Sequence, residues 1–516
     1  MSNHDGENIR FTKVKLNYNS TKKPISSQTT EQKVMKMIID GKEVEFLAGD
    51  TIMQVAERAQ SASSIPRYCY HPGLPIAGTC RMCTVEVEKM PKLMTSCSTP
   101  AAEGMIVHTR SEKVLKSRNG VMEFLLTNHP LDCPVCDKAG ECELQNYNFE
   151  YGPATSRFKE EKRVFEDATT KKLSEKITLN MNRCVHCERC VRFTDEVTKS
   201  YDLVMENRGW KKELCVTDED KGLWNDYQGN LADFCPVGAL TWNDFRFEKR
   251  VWFLDKKPSV CDGCSKGCNI EVHSDNQIVQ RYYPIFNEQV NGHWMCDNGR
   301  VSYKTYMDPL RIISPLVRYT NNLGLTQLVA ASWQTALESF ETVVKNFKKI
   351  ILLVGTDATN EEAQILQQVA THYSLNIMSF NGINGVLQSK DDAPLDHLLM
   401  MKDKTPNTRG LENLGIKAAT NHQLLDADML IYYRAGRAAM PNLLHQKLVL
   451  WGVWNQQEIK QWQNAIQLVL PGLATIEKSG SFINSNNITQ RFKSAIKHLG
   501  GALSVEDIFL KLVREA

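Results

Sequence analysis

"RCVHCERC", residues 183–190, followed at a distance by "FCPVGAL", residues 234–240, decides how the N-terminal half must be built. Cys184, Cys187 and Cys190 stand two residues apart, and Cys235 is followed by proline. A C-x2-C-x2-C triplet with a distant C-P is the pattern that holds a [4Fe–4S] cube. The tight triplet takes three irons, and Cys235, turned by Pro236, takes the fourth. Zinc competes poorly, because zinc fingers do not space three cysteines in this way. His186 lies between ligands, but a complete cysteine set leaves it only a supporting place.

Upstream, "NHPLDCPVCDKAGEC" (128–142) carries Cys133, Cys136 and Cys142, with His129 before them. Three cysteines cannot complete a four-iron site, so a fourth ligand is needed. Imidazole ligates iron and makes a cluster less negative. The alternative for His129 is a turn histidine before Pro130; beside three otherwise incomplete cysteines the ligand reading is favoured. Downstream, "CDGCSKGC" (261–268) and "WMC" (294–296) supply Cys261, Cys264, Cys268 and Cys296, enough for another [4Fe–4S] cube. Nearer the N-terminus, Cys69, Cys80, Cys83 and Cys97 follow C-x10-C-x2-C-x13-C. Four thiolates there can hold zinc or a [2Fe–2S] cluster. A single C-x2-C knuckle and a long glycine-containing loop favour the cluster. Fifteen of the sixteen cysteines thus fall into four groups. Cys215 is left over and reads as a structural thiol.

The chain has 516 residues, too many for one core. Its net charge of +2 implies no pull toward nucleic acid. No apolar run reaches the length of a membrane span, so direct membrane insertion is not expected. Residues 1–33 are polar and lack an apolar core segment, which excludes a secretory signal and reads as a flexible tail. Cysteines clustered at ligand spacings point to a reducing compartment with metal-bound thiolates.

All sixteen cysteines lie within residues 69–296, and residues 297–516 have none. "KMIIDGKEVEF" (36–46) reads as strand, Asp-Gly turn, strand. "GDTIMQVAERA" (49–59) reads as a helix capped by Asp50, with Ile52, Val55, Ala56 and Ala59 on one face. With "TVEVEK" (84–89) as a later strand, this start suits a β-grasp. Val114, Leu115, Val121, Met122, Leu125 and Leu126 mark an amphipathic helix leading into His129. The cysteine-free part alternates helices with apolar strands. Trp333 to Phe347 has helical spacing, and "KIILLVG" (349–355) reads as a buried strand. Thr359 with Glu362 is a capping box, and "LNIMSF" (375–380), "ADMLIYY" (427–433) and "IQLVLPG" (466–472) read as strands. That order predicts a parallel, doubly wound sheet. No GxGxxG follows Gly355, so a nucleotide site is not expected there.

In order and spacing, "IPRYCYHPGLPIAGTCRMC", "HPLDCPVCDKAGECELQ", "RCVHCERCVRF" and "FCPVGAL" resemble the large iron–sulfur subunit of proton-pumping NADH:quinone oxidoreductase, respiratory complex I. The resemblance is strong over roughly residues 36–300. Beyond them the chain is similar to that family's molybdopterin-oxidoreductase-like domain, and "EKSGSFINSNNITQRF" (477–492) resembles a pterin-contact loop as a remnant.

The resemblance implies an α+β then α/β chain. Its expected divisions are a tail (1–33), a [2Fe–2S] ferredoxin-like β-grasp (34–112), a [4Fe–4S] segment with one histidine and three cysteines (113–155) and a [4Fe–4S] ferredoxin-like domain (156–254). A four-cysteine [4Fe–4S] domain of molybdopterin-oxidoreductase type (255–312) and a truncated, cofactor-free α/β domain of the same type (313–516) follow. It also implies that His129 is a ligand, and that one [2Fe–2S] and three [4Fe–4S] clusters are present without molybdopterin or FMN. The first three clusters would carry electrons from flavin in a partner subunit toward quinone. The expected partners are the flavin/NADH-binding subunit and the quinone-side iron–sulfur subunits, on the cytoplasmic side of a bacterial inner membrane, with the mitochondrial matrix side as the lesser alternative. No group in this chain makes or breaks bonds, so by itself it is an electron carrier. The competing class is the iron–sulfur subunit of a soluble NAD-linked formate dehydrogenase or hydrogenase, which would need a molybdenum ligand or a further catalytic cysteine set.

Overall fold

Asp40 and Gly41 both have positive φ, 48° and 81°, and so close a two-residue hairpin between Met35–Ile39 and Lys42–Phe46. Ile106–His108 runs parallel to the first of these strands, and Thr84–Val87 and Met94–Thr95 complete a five-stranded mixed sheet. Helix Ile52–Arg58 buries Ile52, Met53, Val55 and Ala56. Its cap is Thr51, not the expected Asp50: the Thr51 side chain accepts from Gln54 N, and the Gln54 amide accepts from Thr51 N. Asp50 instead accepts from Leu47 N at 2.8 Å and pairs with Arg58. The computed structural model describes residues 34–59, 65–165, 170–380, 382–383, 386–387, 393–440 and 446–515. The expected tail, 1–33, lies outside the described residues.

Helix Glu112–Asn128, capped by Ser111, buries Val114, Arg118 and Met122, an i, i+4 stripe. Leu115, expected on that face, is 37% exposed, while Arg118 is 1% exposed. The guanidinium of Arg118 covers the Tyr151 ring at 5.0 Å and donates to the Thr84 carbonyl, which explains how a cation takes a core position. A short strand set, Lys171–Lys172, Ile177–Leu179 and Leu240–Trp242, and a hairpin, Leu203–Glu206 with Glu213–Val216, frame the third cysteine group. An antiparallel sheet of Asp255–Val260, Asn269–Asp275 and Ile278–Pro284 follows.

The cysteine-free part centres on a seven-stranded sheet. Five strands are parallel, in the order Ile466–Pro471, Lys447–Gly452, Met429–Arg434, Ile350–Gly355, Asn376–Phe380. An antiparallel hairpin, Leu316–Thr320 with Thr326–Ala330, extends the first edge, so the sheet is mixed rather than wholly parallel. Alternation along the strands divides the interior in two. Leu352, Val354, Ile431, Tyr433, Val449 and Trp451 face helices Trp333–Asn346, Asn360–His372 and Val505–Glu515, while Ile351, Leu353, Leu430, Tyr432, Leu448 and Leu450 face the other way. Burial on both faces is why these strands read as continuous apolar runs. The Thr359–Glu362 capping box forms as expected.

Candidate metal centres

The third cysteine group lies on a loop whose backbone alternates into the left-handed region, with His186 at φ 52° and Glu188 at φ 58°. Such a loop turns successive N–H groups toward one point. The N–H of His186 meets Cys184 Sγ at 3.4 Å, and Arg189 and Val191 supply backbone donors to Cys187 and Cys190. Cys235 arrives from helix Gly229–Phe234, and all four cysteines line one cavity with Met205, Leu214, Val237, Ala239 and Leu240. Burial and mutual repulsion push the Cys184 thiol up to about 12 and Cys187 up to about 11, and raise Cys190 well above the usual thiol range. These three raised thiols become thiolates only when positive metal charge offsets them, so the donor set fits a cluster. The His186 ring contacts the Lys212 carbonyl at 2.9 Å.

The first group resolves into two thiol pairs. Cys83 Sγ and Cys97 Sγ are 3.4 Å apart, and Cys69 accepts from Cys80. That hydrogen bond pulls Cys69 down to about 5 and pushes Cys80 up. Cys83 and Cys97 pack in the core of the five-stranded sheet, whereas Cys69 and Cys80 pack against the neighbouring core. Two pairs would suit a two-iron cluster, which takes two thiolates per iron, better than a single zinc ion.

In the second group, His129 ends helix Glu112–Asn128 as its C-cap residue. Burial, with Lys162 and Arg183 nearby, pulls its pKa down to about 4, so the ring is neutral and a nitrogen lone pair is free for iron. Arg183 faces both His129 and Cys136 and is held by Asp132. Burial pushes Cys142 up to about 11. Cys133 is exposed. Arg250 clamps the loop by donating to the carbonyls of Cys136 and Pro134.

In the fourth group, Cys261 and Cys296 approach Gly299. A β-carbon there would lie 2.9 Å from Cys261 Sγ and 3.4 Å from Cys296 Sγ, so only glycine lets both sulfurs approach. Gly299 N donates to Cys296 Sγ at 3.3 Å. The Cys261–Cys268 loop is held by the cysteine-free part: Ser265 N donates to the Asp403 carbonyl, Ser485 N to the Ser265 carbonyl, and Gln490 Nε2 to the Gly267 carbonyl at 2.7 Å. The 477–492 segment therefore touches this loop directly. Among the described residues, no three His, Cys, Asp or Glu side chains converge on one ion-sized point. A four-iron cluster spreads its ligands more widely than a single ion does.

Sites one to three adjoin. Tyr68, fully buried, lies beside both Cys80 and Cys142. Arg189 donates to the carbonyls of Tyr70 and Phe234 at 2.9 and 2.8 Å and pairs with Glu143, and so touches a residue next to a cysteine of each site. A β-carbon on Gly238 would sit 2.2 Å from Cys136 Sγ, which binds the second site to the third.

The crevice at the carboxyl ends of the parallel strands opens where strand order reverses, between Ile350–Gly355 and Met429–Arg434. Open α/β sheets bind ligands at such a point. Here Asp357 fills it. Its carboxylate accepts from the backbone N–H groups of Ala435, Gly436, Arg437 and Ala438 at 3.1, 2.8, 2.7 and 2.8 Å.

Four families match in tandem. They are described as a 2Fe-2S iron-sulfur cluster binding domain (residues 32–112), an NADH-ubiquinone oxidoreductase-G iron-sulfur binding region (118–157), the NADH-quinone oxidoreductase subunit 3 ferredoxin-like domain (174–241) and a molybdopterin oxidoreductase Fe4S4 domain (254–308). The NADH-quinone oxidoreductase polypeptide designated G in Rickettsia bellii is 38% identical over 350 residues, 67% of this chain and 50% of that protein. The chain belongs to the 75–78 kDa iron–sulfur subunit family of NADH-quinone oxidoreductase.

The mitochondrial NADH-ubiquinone oxidoreductase 78 kDa subunit of Neurospora crassa is 43% identical over 59% of this chain and 39% of its own length. The chain spans about half the length of the first curated members of the 75–78 kDa subunit family that it matches. A crystal structure of an NAD+-reducing [NiFe]-hydrogenase aligns over 42% of this chain and 91% of that one at 26% identity, with a TM-score of 0.36, too low to argue from. In this member of the 75–78 kDa family, reading the sequence missed Arg189, Arg192, Arg250, Gly238 and Asp357. The signal for the first two was present in "CERCVR", where arginines flank Cys190. Nothing local marks the others.

Proposed function

We propose that this chain is an electron-relay subunit of the peripheral arm of NADH:quinone oxidoreductase, holding one [2Fe–2S] and three [4Fe–4S] clusters. Cys69, Cys80, Cys83 and Cys97 hold the first. His129, Cys133, Cys136 and Cys142 hold the second. Cys184, Cys187, Cys190 and Cys235 hold the third, and Cys261, Cys264, Cys268 and Cys296 the fourth. The clusters exchange single electrons when bound; the chain's own residues set their spacing, exclude water and donate N–H groups to sulfur. The observation that carries this reading is the convergence of the first three sites on Tyr68, Arg189 and Gly238. The tandem family matches add to it. The domain divisions at 112, 155, 254 and 312 belong to the same proposal.

No described helix is long and apolar enough to cross a membrane. The partners are the flavin/NADH-binding and quinone-side iron–sulfur subunits. What supports a docking face is the rim of exposed Cys133. Leu131 is 88% exposed, and Val135, Phe247, Trp252 and Phe253 are exposed beside it. The 247–253 segment is anchored to the second-site loop by Phe247 N to Asp137 and by Trp252 against Gly140. Apolar side chains gathered where a cluster meets solvent fit contact with another electron carrier.

Iron content of the anaerobically purified chain tests the cofactor reading: about 14 iron and no molybdenum are expected, and about 4 or fewer would sink it. A Phe253→Glu variant tests the docking face. It is expected to keep its iron and to lose at least about tenfold in quinone-linked turnover of the assembled complex, by losing the partner contact. Full turnover in that variant would remove this face from the proposal.

A further inference from the structure

Arg192 occupies an unusual place between the first and third sites. Its guanidinium donates to the carbonyls of Cys69 and Pro75 on the first-site loop, and to the carbonyl of Cys187 in the third site at 3.2 Å. Among the described residues no carboxylate forms an ion pair with it, whereas its neighbour Arg189 pairs with Glu143 at 3.3 Å. Arg189 is therefore largely offset, whereas the one carboxylate that acts on Arg192, Glu188, is itself paired with Lys212, which leaves the Arg192 charge to the two sites. Its planar fork also fixes the approach of the two loops, as a lysine ammonium does not.

We propose that Arg192 is a positioning residue that ties the reduction of the first cluster to that of the third. Each cluster gains one negative charge on reduction. A cation held against a ligand carbonyl of both stabilises both reduced forms, and its removal destabilises both together. This rests on the cluster assignment proposed above for the first and third sites. The role differs from that of a plain clamp, because a clamp sets geometry and leaves the electron affinity of each cluster alone.

The test is an EPR-monitored redox titration of the full chain, purified anaerobically with its clusters, in three forms: wild type, Arg192→Gln and Arg192→Lys. In Arg192→Gln, the reduced-to-oxidised ratio at fixed ambient potential is expected to fall about tenfold for the first and third clusters alike, or about 59 mV for a one-electron couple. Arg192→Lys, which keeps the charge and loses the fork, is expected to recover most of that fall. The second and fourth clusters serve as internal controls and should not move. Unchanged ratios in Arg192→Gln, a change confined to one cluster, or equal falls in both variants would overturn the proposal. Loss of iron from both variants would also overturn it, making Arg192 a clamp. A wild-type chain without a [2Fe–2S] signal would instead sink the cluster assignment itself, which separates the two failures.

Discussion

A Gly238→Ala variant is expected, on the cluster assignment proposed above, to lose the second cluster and keep the other three. The added β-carbon would lie 2.2 Å from Cys136 Sγ and 3.2 Å from Lys138 Cβ, closer to the sulfur than any real contact allows. The loop cannot move as a body, because Arg250 holds the carbonyls of Cys136 and Pro134, and Arg183 holds Asp132. Cys136 must therefore swing away. A site with only three cysteines and one histidine has no spare ligand, so iron should fall from about 14 to about 10 per chain, with quinone-linked turnover lost. Gly120→Ala is the control. Gly120 lies inside helix Glu112–Asn128 with nothing within 4 Å of an added β-carbon. It should keep all its iron and gain about 0.5–1 kcal/mol of stability. Full iron content in Gly238→Ala would show that the second site does not need Cys136 where it stands.

The second large effect is expected at Asp357. It is 3% exposed, and its carboxylate accepts four consecutive backbone N–H groups. Asp357→Ala leaves those donors facing a small cavity. Each buried donor left unpaired costs about 1–3 kcal/mol, and water entering the cavity recovers part of that, so a loss of about 4 kcal/mol is expected. For a unit of this size that is a fall of roughly 8–16 °C in Tm. Asp357→Asn keeps one accepting oxygen and should lose about half as much. Amide exchange in Ile350–Gly355 and Met429–Arg434 should accelerate in parallel, because the nest joins the ends of those strands. An unaltered melting temperature in Asp357→Ala would mean that the nest is satisfied without the carboxylate.

The cysteine groups were legible because ligand spacing is a local property: three thiolates on one short loop sit close together whatever the rest of the chain does. Strands of the doubly wound sheet were legible where both faces are buried, as in "IILLVG". The Leu316–Thr320 hairpin was not, because its residues are half-exposed and carry little periodicity. Nor was the cap of helix Ile52–Arg58 assigned correctly, since Asp50 and Thr51 are both good capping residues and only geometry decides between them. The contacts between sites were illegible for a different reason. Arg189 reaches a carbonyl 119 residues away in sequence, and Gly238 is defined by a sulfur that a distant loop brings to it. Short-range patterns mark candidate ligands; long-range packing sets how the candidate sites face one another.

Packing also dictates a schedule. Cys69, Cys187, Cys235, Cys261 and Cys268 are members of one hydrophobic core, together with Tyr68, Met122, Phe193 and Trp294. If those cysteines hold clusters as proposed, iron and sulfide are expected to enter before that core closes or while it closes. In a cell short of iron, those aromatic and sulfur-bearing side chains would stay in contact with water, and the unfinished chain would be bound by chaperones or cleared by proteases before it met any partner.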